Sequence, residues 1–600
     1  MALRPSFMRL LSQAQDFFRR HWRQALVVRD RLRLSEETFH LLMAAVVGVL
    51  GALASVTYSI CSQFIQWALL GRAGELVEIS QSLPPWQRVL VPTLGGVGAG
   101  LILFLGLRLI SNPGLTNLLE VVVAGDGRLR LRPALLNALS SLISISTGAS
   151  IGREGLIIQL SSTLASKLGQ LGALPPYRLR LLVACGAAAG VAATYNAPIA
   201  GAVFAAQVVL GNFSMNLFAP LVVSSVVAAV LPRAMFGTIH WYEAPAFEFT
   251  RLTELPWFLL LGILAGAFGA GFLRALRFSE RMFAKLPLPL PARLGLAGLL
   301  VGIIALAHPE AWGNGYVSTS RLLREEPEML FLLGLFAAKF VATVGTVGAG
   351  TVGGVFTPTL FLGAALGALF ESLLHLGGFA ESLPTGCFAL VGMGAMLSAT
   401  THFPLLAIIM LFELSLNYSL MPPLMLACVV STLVAKRLHP ESIYSEPLRR
   451  HGLELDRESP RLGAATQKTV ADLMREPVAP VLETTSFRQM ADRFLTSPNN
   501  FLPVVDAVGK LVGLVALHDL KEYLNAGQEL NGVIALDVMR PPPPCLMPHQ
   551  RLSEVLPVLL ASEQRNVPVV DGKFHLVGTV ARMEALGLVS EAITARSSRL

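Results

Sequence analysis

Charged side chains are scarce in this 600-residue chain. Only 14% of its residues are Asp, Glu, Lys or Arg, whereas soluble domains carry about 25%. Hydrophobic residues make up 53%, before the 53 glycines are counted. A chain with this composition could not bury its apolar surface as one water-soluble globule, and it is far too apolar to be disordered or collagen-like. The composition therefore predicts an integral membrane protein.

Cysteine is also scarce, and its placement argues against two kinds of site. No CxxC pair occurs. Four of the five cysteines lie in apolar stretches, namely Cys61, Cys185, Cys387 and Cys428, and the fifth, Cys545, lies in the tail. We therefore expect neither a disulfide framework nor a metal site. A secretory signal peptide is not expected either, because the first apolar stretch starts near Leu41, behind a long Arg-rich lead.

The net charge of +8 is concentrated at the ends of the apolar region. Arginines crowd residues 1–40, and Lys436, Arg437, Arg449 and Arg450 follow the last apolar stretch. Basic flanks are typical of the cytoplasmic side of a membrane protein. We expect both termini to be cytoplasmic. We also expect the basic residues to face the lipid bilayer, not nucleic acid. The Ala-, Leu- and Arg-rich usage suggests a bacterial inner membrane.

The apolar stretches are numerous and several are interrupted. With a window of about 19 residues, they fall at 41–70, 89–110, 134–165, 179–231, 256–276, 294–308, 329–350, 355–377 and 386–435. Residues 146–155, 196–198 and 345–358 are rich in Gly, Pro or Ser and break these stretches. Broken helices within a membrane are tolerated where they are buried in protein or line a cavity, and they typically mark a transporter's binding site.

An internal repeat relates two halves of this region, 41–231 and 255–435. The run Ala-Thr-Tyr-Asn-Ala-Pro-Ile at 193–199 matches Ala-Thr-Thr-His-Phe-Pro-Leu at 399–405, and the same offset of 206 places Gln207 opposite Glu413. Gly-Arg-Glu-Gly at 152–155 aligns with Gly-Val-Phe-Thr-Pro at 354–358, at an offset near 202. Similar halves with matching breaks predict a pseudo-symmetric transporter.

A second repeat lies beyond residue 440, where the composition becomes ordinary. Val-Ala-Asp-Leu-Met-Arg at 470–475 recurs as Ala-Leu-Asp-Val-Met-Arg at 535–540, and Leu-Pro-Val-Val-Asp at 502–506 recurs as Val-Pro-Val-Val-Asp at 567–571. These units predict a cytoplasmic α/β pair. The resulting domain prediction is a basic segment at 1–40, a membrane domain at 41–438, a linker at 439–465, and two units at 466–525 and 526–590.

Glu154 is the candidate functional carboxylate. It lies between glycines immediately before an apolar helix, and a helix N-terminus favours anions. The carboxylate could occupy an anion site and leave it when protonated; alternatively, it caps the helix and pairs with Arg153. The second break offers the backbone amides of Val355 and Phe356 without any charge. Two converging helix N-termini would bind a small monovalent anion weakly enough to release it.

Other classes of function fit the breaks less well. A magnesium channel with a similar tail would need carboxylates along its path, because magnesium takes oxygen ligands, and the breaks offer one glutamate. A membrane enzyme would need a cluster of His, Asp or nucleophilic residues in the apolar stretches, and none is present. We therefore expect a transport protein that is neither an enzyme nor dependent on a metal.

These motifs closely resemble the ClC family of chloride channels and proton-coupled chloride transporters. Residues 152–155 match its G-K/R-E-G-P signature, with Leu156 replacing the proline, and residues 354–358 match its G-x-F-x-P signature. Residues 196–198 are similar to its Asn-Ala-Pro helix start, and Tyr444 falls where the family has an anion-coordinating tyrosine. The resemblance covers about 40–450, and the tail resembles a tandem CBS pair.

The resemblance implies a fold and roles for particular residues. It implies an α-helical membrane protein of short tilted helices in two inverted halves, followed by an α/β CBS pair, and a homodimer with one pore for chloride in each subunit. Glu154 would be the gating glutamate. Val355 and Phe356 would offer backbone N–H groups, and Tyr444 a hydroxyl, to the central anion.

Departures from the family pattern bear on selectivity and coupling. Pro113 and Gly114 lie in the first anion-binding motif, and Pro113 replaces its serine, a change that goes in the family with altered anion preference, including nitrate. The internal proton-relay glutamate falls on Gln207, whose amide cannot titrate. This favours channel-like, voltage-gated or weakly proton-coupled transport; the alternative is a stoichiometric antiporter of protons with chloride or nitrate.

Three further residues leave alternatives open. Lys339, within an apolar stretch, either raises the anion potential of the path or bonds a carbonyl group, and for Glu413 we favour a structural role. In the tail, Asp519 lies in a run that resembles the nucleotide-binding run of CBS pairs but has alanine in place of its hydroxyl residue. Asp519 could hold the ribose of ATP or another adenosine nucleotide; a gating or dimerising role without a ligand or cofactor is the favoured expectation.

Overall fold

The computed structural model divides into two compact units, Met1–Leu455 and Asp456–Leu600, which are described separately. The residues described are 36–109, 118–123, 125–211, 213, 215–236, 242, 252–379, 383–450, 469–496, 499–525, 530–551, 554–555, 558–559, 562, 564, 566–582 and 584–585. Pro113 and Gly114, predicted to bind the anion, lie outside the described residues.

The described part of the first unit is helical. Its α-helices, numbered in chain order, are α1 Glu36–Leu70, α2 Leu76–Ser82, α3 Pro85–Leu109, α4 Leu118–Val123, α5 Leu131–Ser146, α6 Glu154–Leu171, α7 Pro176–Tyr195, α8 Pro198–Phe204, α9 Met215–Phe236, α10 Leu255–Lys285, α11 Leu290–Ala307, α12 Tyr316–Leu322, α13 Met329–Gly348, α14 Phe356–Leu376, α15 Cys387–Thr401, α16 Pro404–Ser415, α17 Met421–Leu438 and α18 Ser445–Arg450. A π-helical turn, Ala205–Leu210, continues α8.

Among the described residues, eight helices are long and apolar enough to cross a membrane, and three shorter apolar helices accompany them. The chain is thus a membrane protein with many apolar helices. Small residues allow these helices to approach closely, as is usual in membranes. For example, a Cβ added at Gly363 of α14 would overlap the backbone of Gly392 in α15.

The predicted breaks are present. The apolar stretch 179–231 divides into α7, α8, the π-helical turn and α9, and the stretch 386–435 divides into α15, α16 and α17. Asn196 and His402, which are repeat partners, both adopt left-handed backbone conformations, with φ of 57° and 63°. In each half a proline then starts the next helix, at Pro198 and Pro404. The same local geometry therefore recurs at the predicted offset of 206.

The second unit is built from two similar parts. Its elements are α19 Val470–Leu473, β1 Val481–Leu482, α20 Phe487–Thr496, β2 Phe501–Val505, β3 Leu511–Ala516, α21 Leu517–Asn525, α22 Ala535–Val538, β4 Asn566–Val570 and β5 Leu576–Ala581. β2 pairs antiparallel with β3, and β4 pairs antiparallel with β5. Each hairpin has a register shift near the end of its first strand, between Val504 and Val505 in β2 and between Val569 and Val570 in β4. The predicted tail repeat is therefore a repeat of backbone pairing as well as of sequence.

Candidate functional site

The breaks before α6 and α14 are joined directly to each other. Gly152 N donates to Gly354 O at 2.7 Å, and Gly354 N donates to Gly152 O at 2.8 Å. These two glycines are 202 residues apart, the predicted offset. A Cβ at Gly152 would overlap the Glu154 carboxylate, so a larger residue there would displace the carboxylate from its observed position. The paired backbones bring the N-termini of α6 and α14 together.

Glu154, the first residue of α6, directs its carboxylate to the other half of the repeat. Its side chain is buried, with 2% of the residue exposed. Oε1 accepts a hydrogen bond from the backbone N of Thr357 at 2.7 Å, and Oε2 is buried without a described hydrogen-bond partner. The carboxylate therefore lies at the N-terminus of α14, where free N–H groups and the helix dipole favour negative charge.

The first turn of α14 supplies the Thr357 amide that bonds this carboxylate. Val355 is the N-cap and Phe356 the first helical residue, and Pro358 has no N–H to donate. Sequence reasoning assigned the amides of Val355 and Phe356 and missed that of Thr357. A helix start at Phe356, deduced from the proline two residues later, would have indicated Thr357, because a first-turn amide has no partner within its own helix.

Tyr195 is a second residue that sequence reasoning missed. It is the last residue of α7, is buried, and its hydroxyl lies 2.8 Å from Oγ1 of Thr357. Its ring also packs against Phe356, with the ring centroids 5.3 Å apart. The sequence carries no strong signal for this contact, since Tyr195 and Thr357 lie 162 residues apart.

Tyr444 lies in the segment between α17 and α18. Its ring meets Phe204 edge-on at a centroid distance of 5.7 Å. It packs against the same apolar core that contains Phe356 and Tyr195. The segment is held by a hydrogen bond from Ile443 N to Thr400 O at 3.0 Å. Tyr444 thus packs against the core that holds the start of α14.

Gln207 and Glu413, the predicted repeat partners, have different environments. Gln207 lies in the π-helical turn, and its Oε1 is buried without a described hydrogen-bond partner. The segment from Pro198 through Leu210 contains no titratable side chain. Glu413 instead accepts hydrogen bonds from the backbone N of Ile199 at 2.9 Å and of Ala200 at 2.6 Å. It caps the N-terminus of α8, as the structural interpretation expects.

Lys339 is completely buried in α13 and donates to backbone carbonyls. Its Nζ lies 3.1 Å from Ala311 O and 2.6 Å from Gly313 O. These carbonyls flank Trp312, whose indole lies where a side chain on Gly148 would be, in the break before α6. Of the two alternatives for Lys339, the carbonyl-bonding one is observed.

Two groups of His and carboxylate side chains among the described residues are close enough together to hold a metal ion: Glu326, Glu371 and His375, and His439, Glu441 and Glu446. Their carboxylates already have protein donors. Gly386 N donates to Glu371 at 3.2 Å, Thr385 Oγ1 donates to Glu326 at 2.7 Å, and Arg277 pairs with both Glu441 and Glu446.

In the second unit, Asp519 is engaged by an arginine. Nε of Arg540 lies 2.9 Å from Oδ1 and 3.0 Å from Oδ2 of Asp519. The repeat-related residues form a matching ion pair, with Arg475 Nη2 2.6 Å from Glu584 Oε2. Each part of the unit therefore offers an arginine to a carboxylate of the other part.

Comparison with known proteins identifies the family of the membrane region. The family described as voltage gated chloride channel matches residues 95–436. The chain is 42% identical over 417 residues to a putative chloride channel protein ClcB-like of Ralstonia nicotianae, covering 68% of this chain and 97% of that protein. It is 35% identical to the voltage-gated ClC-type chloride channel ClcB of Escherichia coli O9:H4, covering 68% of this chain and 99% of that one.

A solved structure and the tail complete the comparison. The crystal structure of a slow cyanobacterial Cl−/H+ antiporter superposes with a TM-score of 0.62 and 25% identity, covering 70% of this chain and 98% of the other. Residues 470–526 and 534–591 each match the CBS domain. The chain belongs to the ClC family of voltage-gated chloride channels and carries two CBS domains after its membrane region.

Proposed function

We propose that this protein moves chloride, or a similar monovalent anion, through the site where the N-termini of α6 and α14 meet, and that Glu154 gates this path. The observation that carries the proposal is the bond from the Thr357 amide to the Glu154 carboxylate. A carboxylate in that position occupies the Thr357 amide, to which a transported anion would otherwise bind. Protonation removes its charge, weakens this bond and frees the amide for the anion.

Chemistry at the site favours a small monovalent anion. Its donors are backbone amides at helix starts, which supply partial positive charge without a cationic side chain. Such donors hold an anion weakly enough for conduction. The names of the bacterial relatives point to chloride. The coordinating roles of Val355, Phe356 and Tyr444 follow from the family resemblance, as does the part given to Pro113 and Gly114 in setting preference for chloride or nitrate.

The mode of transport that we favour is channel-like or weakly proton-coupled. A stoichiometric antiporter needs a titratable group, or water, that brings protons to Glu154 from the inner side. Gln207 cannot serve, and neither can any other side chain from Pro198 through Leu210. Stoichiometric exchange of protons for chloride or nitrate is the second candidate, favoured by the structural likeness to a Cl−/H+ antiporter. The family assignment removes the magnesium-channel alternative.

Assembly and placement follow the same resemblance. We infer a homodimer with one anion path per subunit, in a bacterial inner membrane, with both termini cytoplasmic. Exposed apolar side chains along α9 and α17, such as Val226, Val230, Met425 and Val429, offer surface for a second copy or for lipid. Light scattering of the detergent-solubilised protein measures the subunit number directly.

Flux from liposomes tests the gating role. In vesicles loaded with chloride, we expect efflux through the wild-type protein to rise as the pH falls, because protonation of Glu154 opens the path. Glu154→Gln mimics the protonated side chain, so efflux should be high and nearly independent of pH. Glu413→Gln is the matched control, since that carboxylate caps α8, and its efflux should keep the wild-type pH dependence.

Two results would contradict the proposal in different ways. A pH profile that Glu154→Gln leaves unchanged rules out the gate. Simultaneous recording of proton movement decides the mode: proton uptake in fixed proportion to chloride efflux would establish the antiporter and exclude the channel-like mode. Magnesium flux without any anion flux would overturn the functional proposal as a whole.

A further inference from the structure

Thr357, which donates a hydrogen bond to the Glu154 carboxylate, is itself bonded through its side-chain hydroxyl to the hydroxyl of Tyr195. The Thr357 amide donates to Glu154 Oε1 at 2.7 Å, and the hydroxyl of the same threonine lies 2.8 Å from the hydroxyl of Tyr195. Tyr195 and Thr357 are each only 4% exposed. Thr357 therefore connects Tyr195, at the end of α7, with Glu154, at the start of α6.

The position of Tyr195 is set by the break that follows it. α7 ends at Tyr195 because Asn196 adopts a left-handed conformation, and Pro198 starts α8 in a new direction. The ring is fixed on its other side by Phe356, the residue before Thr357. Tyr195 thus contacts two consecutive residues in the first turn of α14, through its ring and through its hydroxyl. A buried hydroxyl in such a position restrains its partner, because breaking the bond would leave a polar group unsatisfied.

We propose that Tyr195 and the Thr357 side chain are positioning residues that keep the Thr357 amide on the Glu154 carboxylate and so favour the closed form of the gate. The inference rests on the proposed gating role of Glu154. The Tyr195–Thr357 bond fixes the Thr357 side chain, and a fixed side chain restrains the backbone that carries the amide bonded to the carboxylate. When Glu154 is protonated and leaves, the same restraint keeps the amide pointing into the path, where an anion can accept from it.

The direction in which the pH midpoint of flux shifts depends on which form of Glu154, ionised or protonated, the Tyr195–Thr357 pair stabilises. The ionised carboxylate accepts more strongly than the protonated one, so the Tyr195–Thr357 pair favours the ionised, closed form. Loss of either hydroxyl weakens that form, and protonation then opens the path at a higher pH. From the usual net worth of one buried hydrogen bond, the midpoint of the flux–pH curve should rise by about 0.5 to 1 pH unit.

Other titratable groups that interact electrostatically with Glu154 do not account for such a shift. Among the described residues these are Arg153, beside it in the chain, and Tyr58, Tyr195, Tyr242 and Tyr444 from neighbouring segments. Glu75 interacts with Arg153. Among the described residues, none of the groups in direct interaction with the carboxylate is a histidine or a second carboxylate.

Variants of the full chain, reconstituted in liposomes, test the inference through the pH midpoint of chloride efflux. Tyr195→Phe and Thr357→Val each remove one hydroxyl and should raise the midpoint, and the double variant should raise it no further than either alone, because both break the same bond. Thr357→Ser keeps the hydroxyl and should keep the wild-type midpoint. Thr163→Val removes a buried threonine hydroxyl that donates to the backbone O of Gln159 within α6; it is the matched control and should keep the wild-type midpoint.

Failure of this inference can be told apart from failure of the gating proposal. If Glu154→Gln abolishes the pH dependence while Tyr195→Phe and Thr357→Val both retain the wild-type midpoint, the positioning role is wrong and the gate stands. If Glu154→Gln leaves the pH dependence intact, the gate itself is wrong. In a Glu154→Gln background, Tyr195→Phe should have no effect on the pH profile; a shift there would overturn the inference. Thr357→Val provides the same readout should Tyr195→Phe fail to fold.

Discussion

At the scale of single residues, three ionisable side chains of the membrane region are bonded to backbone groups outside their own helices. Glu154 accepts from Thr357, and Glu413 caps α8. Lys339 donates to the carbonyls of Ala311 and Gly313. Breaks and loops leave backbone groups unsatisfied, and within the membrane only protein can satisfy them. These side chains therefore stabilise the backbone at breaks and helix starts.

Replacement of Lys339 by methionine should destabilise the membrane region. The carbonyls of Ala311 and Gly313 would lose their donor while remaining buried, at a cost of about 1 to 3 kcal/mol. We expect a lower midpoint of thermal unfolding in detergent. Lys285→Met removes an exposed lysine at the end of α10 and should leave the midpoint unchanged. An unchanged midpoint in Lys339→Met, together with altered anion flux, would favour the electrostatic alternative for Lys339.

At the scale of elements, a group of ion pairs ties α10 to the segment around Tyr444. Arg277, near the end of α10, pairs with Glu441 and with Glu446, the latter at 2.5 Å. Arg449 also pairs with Glu441, at 2.5 Å. The Arg277 and glutamate side chains are only partly exposed, which makes such pairs stronger than those on an open surface. Since Glu441 and Glu446 flank Tyr444, these pairs hold the tyrosine in place from both sides.

Loss of the Arg277 ion pairs should therefore affect transport. In Arg277→Ala, the segment carrying Tyr444 loses its attachment to α10, and we expect the rate of chloride efflux to change by about two- to tenfold, as for a loss of roughly 0.4 to 1.4 kcal/mol in positioning. Arg281→Ala, four residues further along α10, removes an exposed arginine from the same surface pocket and is the control. Equal flux in both variants would show that these ion pairs do not position Tyr444.

At the scale of the whole molecule, each unit consists of two repeats that are joined by hydrogen bonds or ion pairs. In the membrane region the fastening is the pair of backbone bonds between Gly152 and Gly354. In the CBS unit it is the pair of exchanged arginines, Arg540 to Asp519 and Arg475 to Glu584. In both units a residue from one repeat therefore completes the structure of the other.

The exchanged arginines lead us to expect that the CBS pair does not bind ATP. Asp519, the residue available to hold a ribose, already accepts from Arg540 and from the backbone N of Ala516. Equilibrium dialysis of the full-length protein with labelled ATP should show no saturable binding. Arg540→Ala frees the Asp519 carboxylate and tests whether the arginine is the obstacle. Saturable binding of ATP by the wild-type protein would contradict this expectation.

Much of the architecture could be predicted because it depends on local chemistry. Glycine, proline and serine at 146–155, 196–198 and 345–358 disfavour continuous helix, and the observed helices end and begin within or beside these segments. The break predicted at 345–358 is shorter than expected, because α13 continues to Gly348. The repeat offsets near 202 and of 206 follow from sequence alone, and so does the choice of Glu154 as the candidate carboxylate.

The sequence by itself thus determined the class of protein, the breaks and the repeats, and it predicted Glu154 as the functional carboxylate. Only the tertiary structure decided what Glu154 bonds to, because Thr357 lies 203 residues away and is brought there by the Gly152–Gly354 pairing. The same holds for Tyr195 and Thr357, for Lys339 and the carbonyls beside Trp312, and for Arg540 and Asp519. Residue types and spacing reveal local backbone preferences, whereas the partners of buried polar groups depend on how distant segments pack.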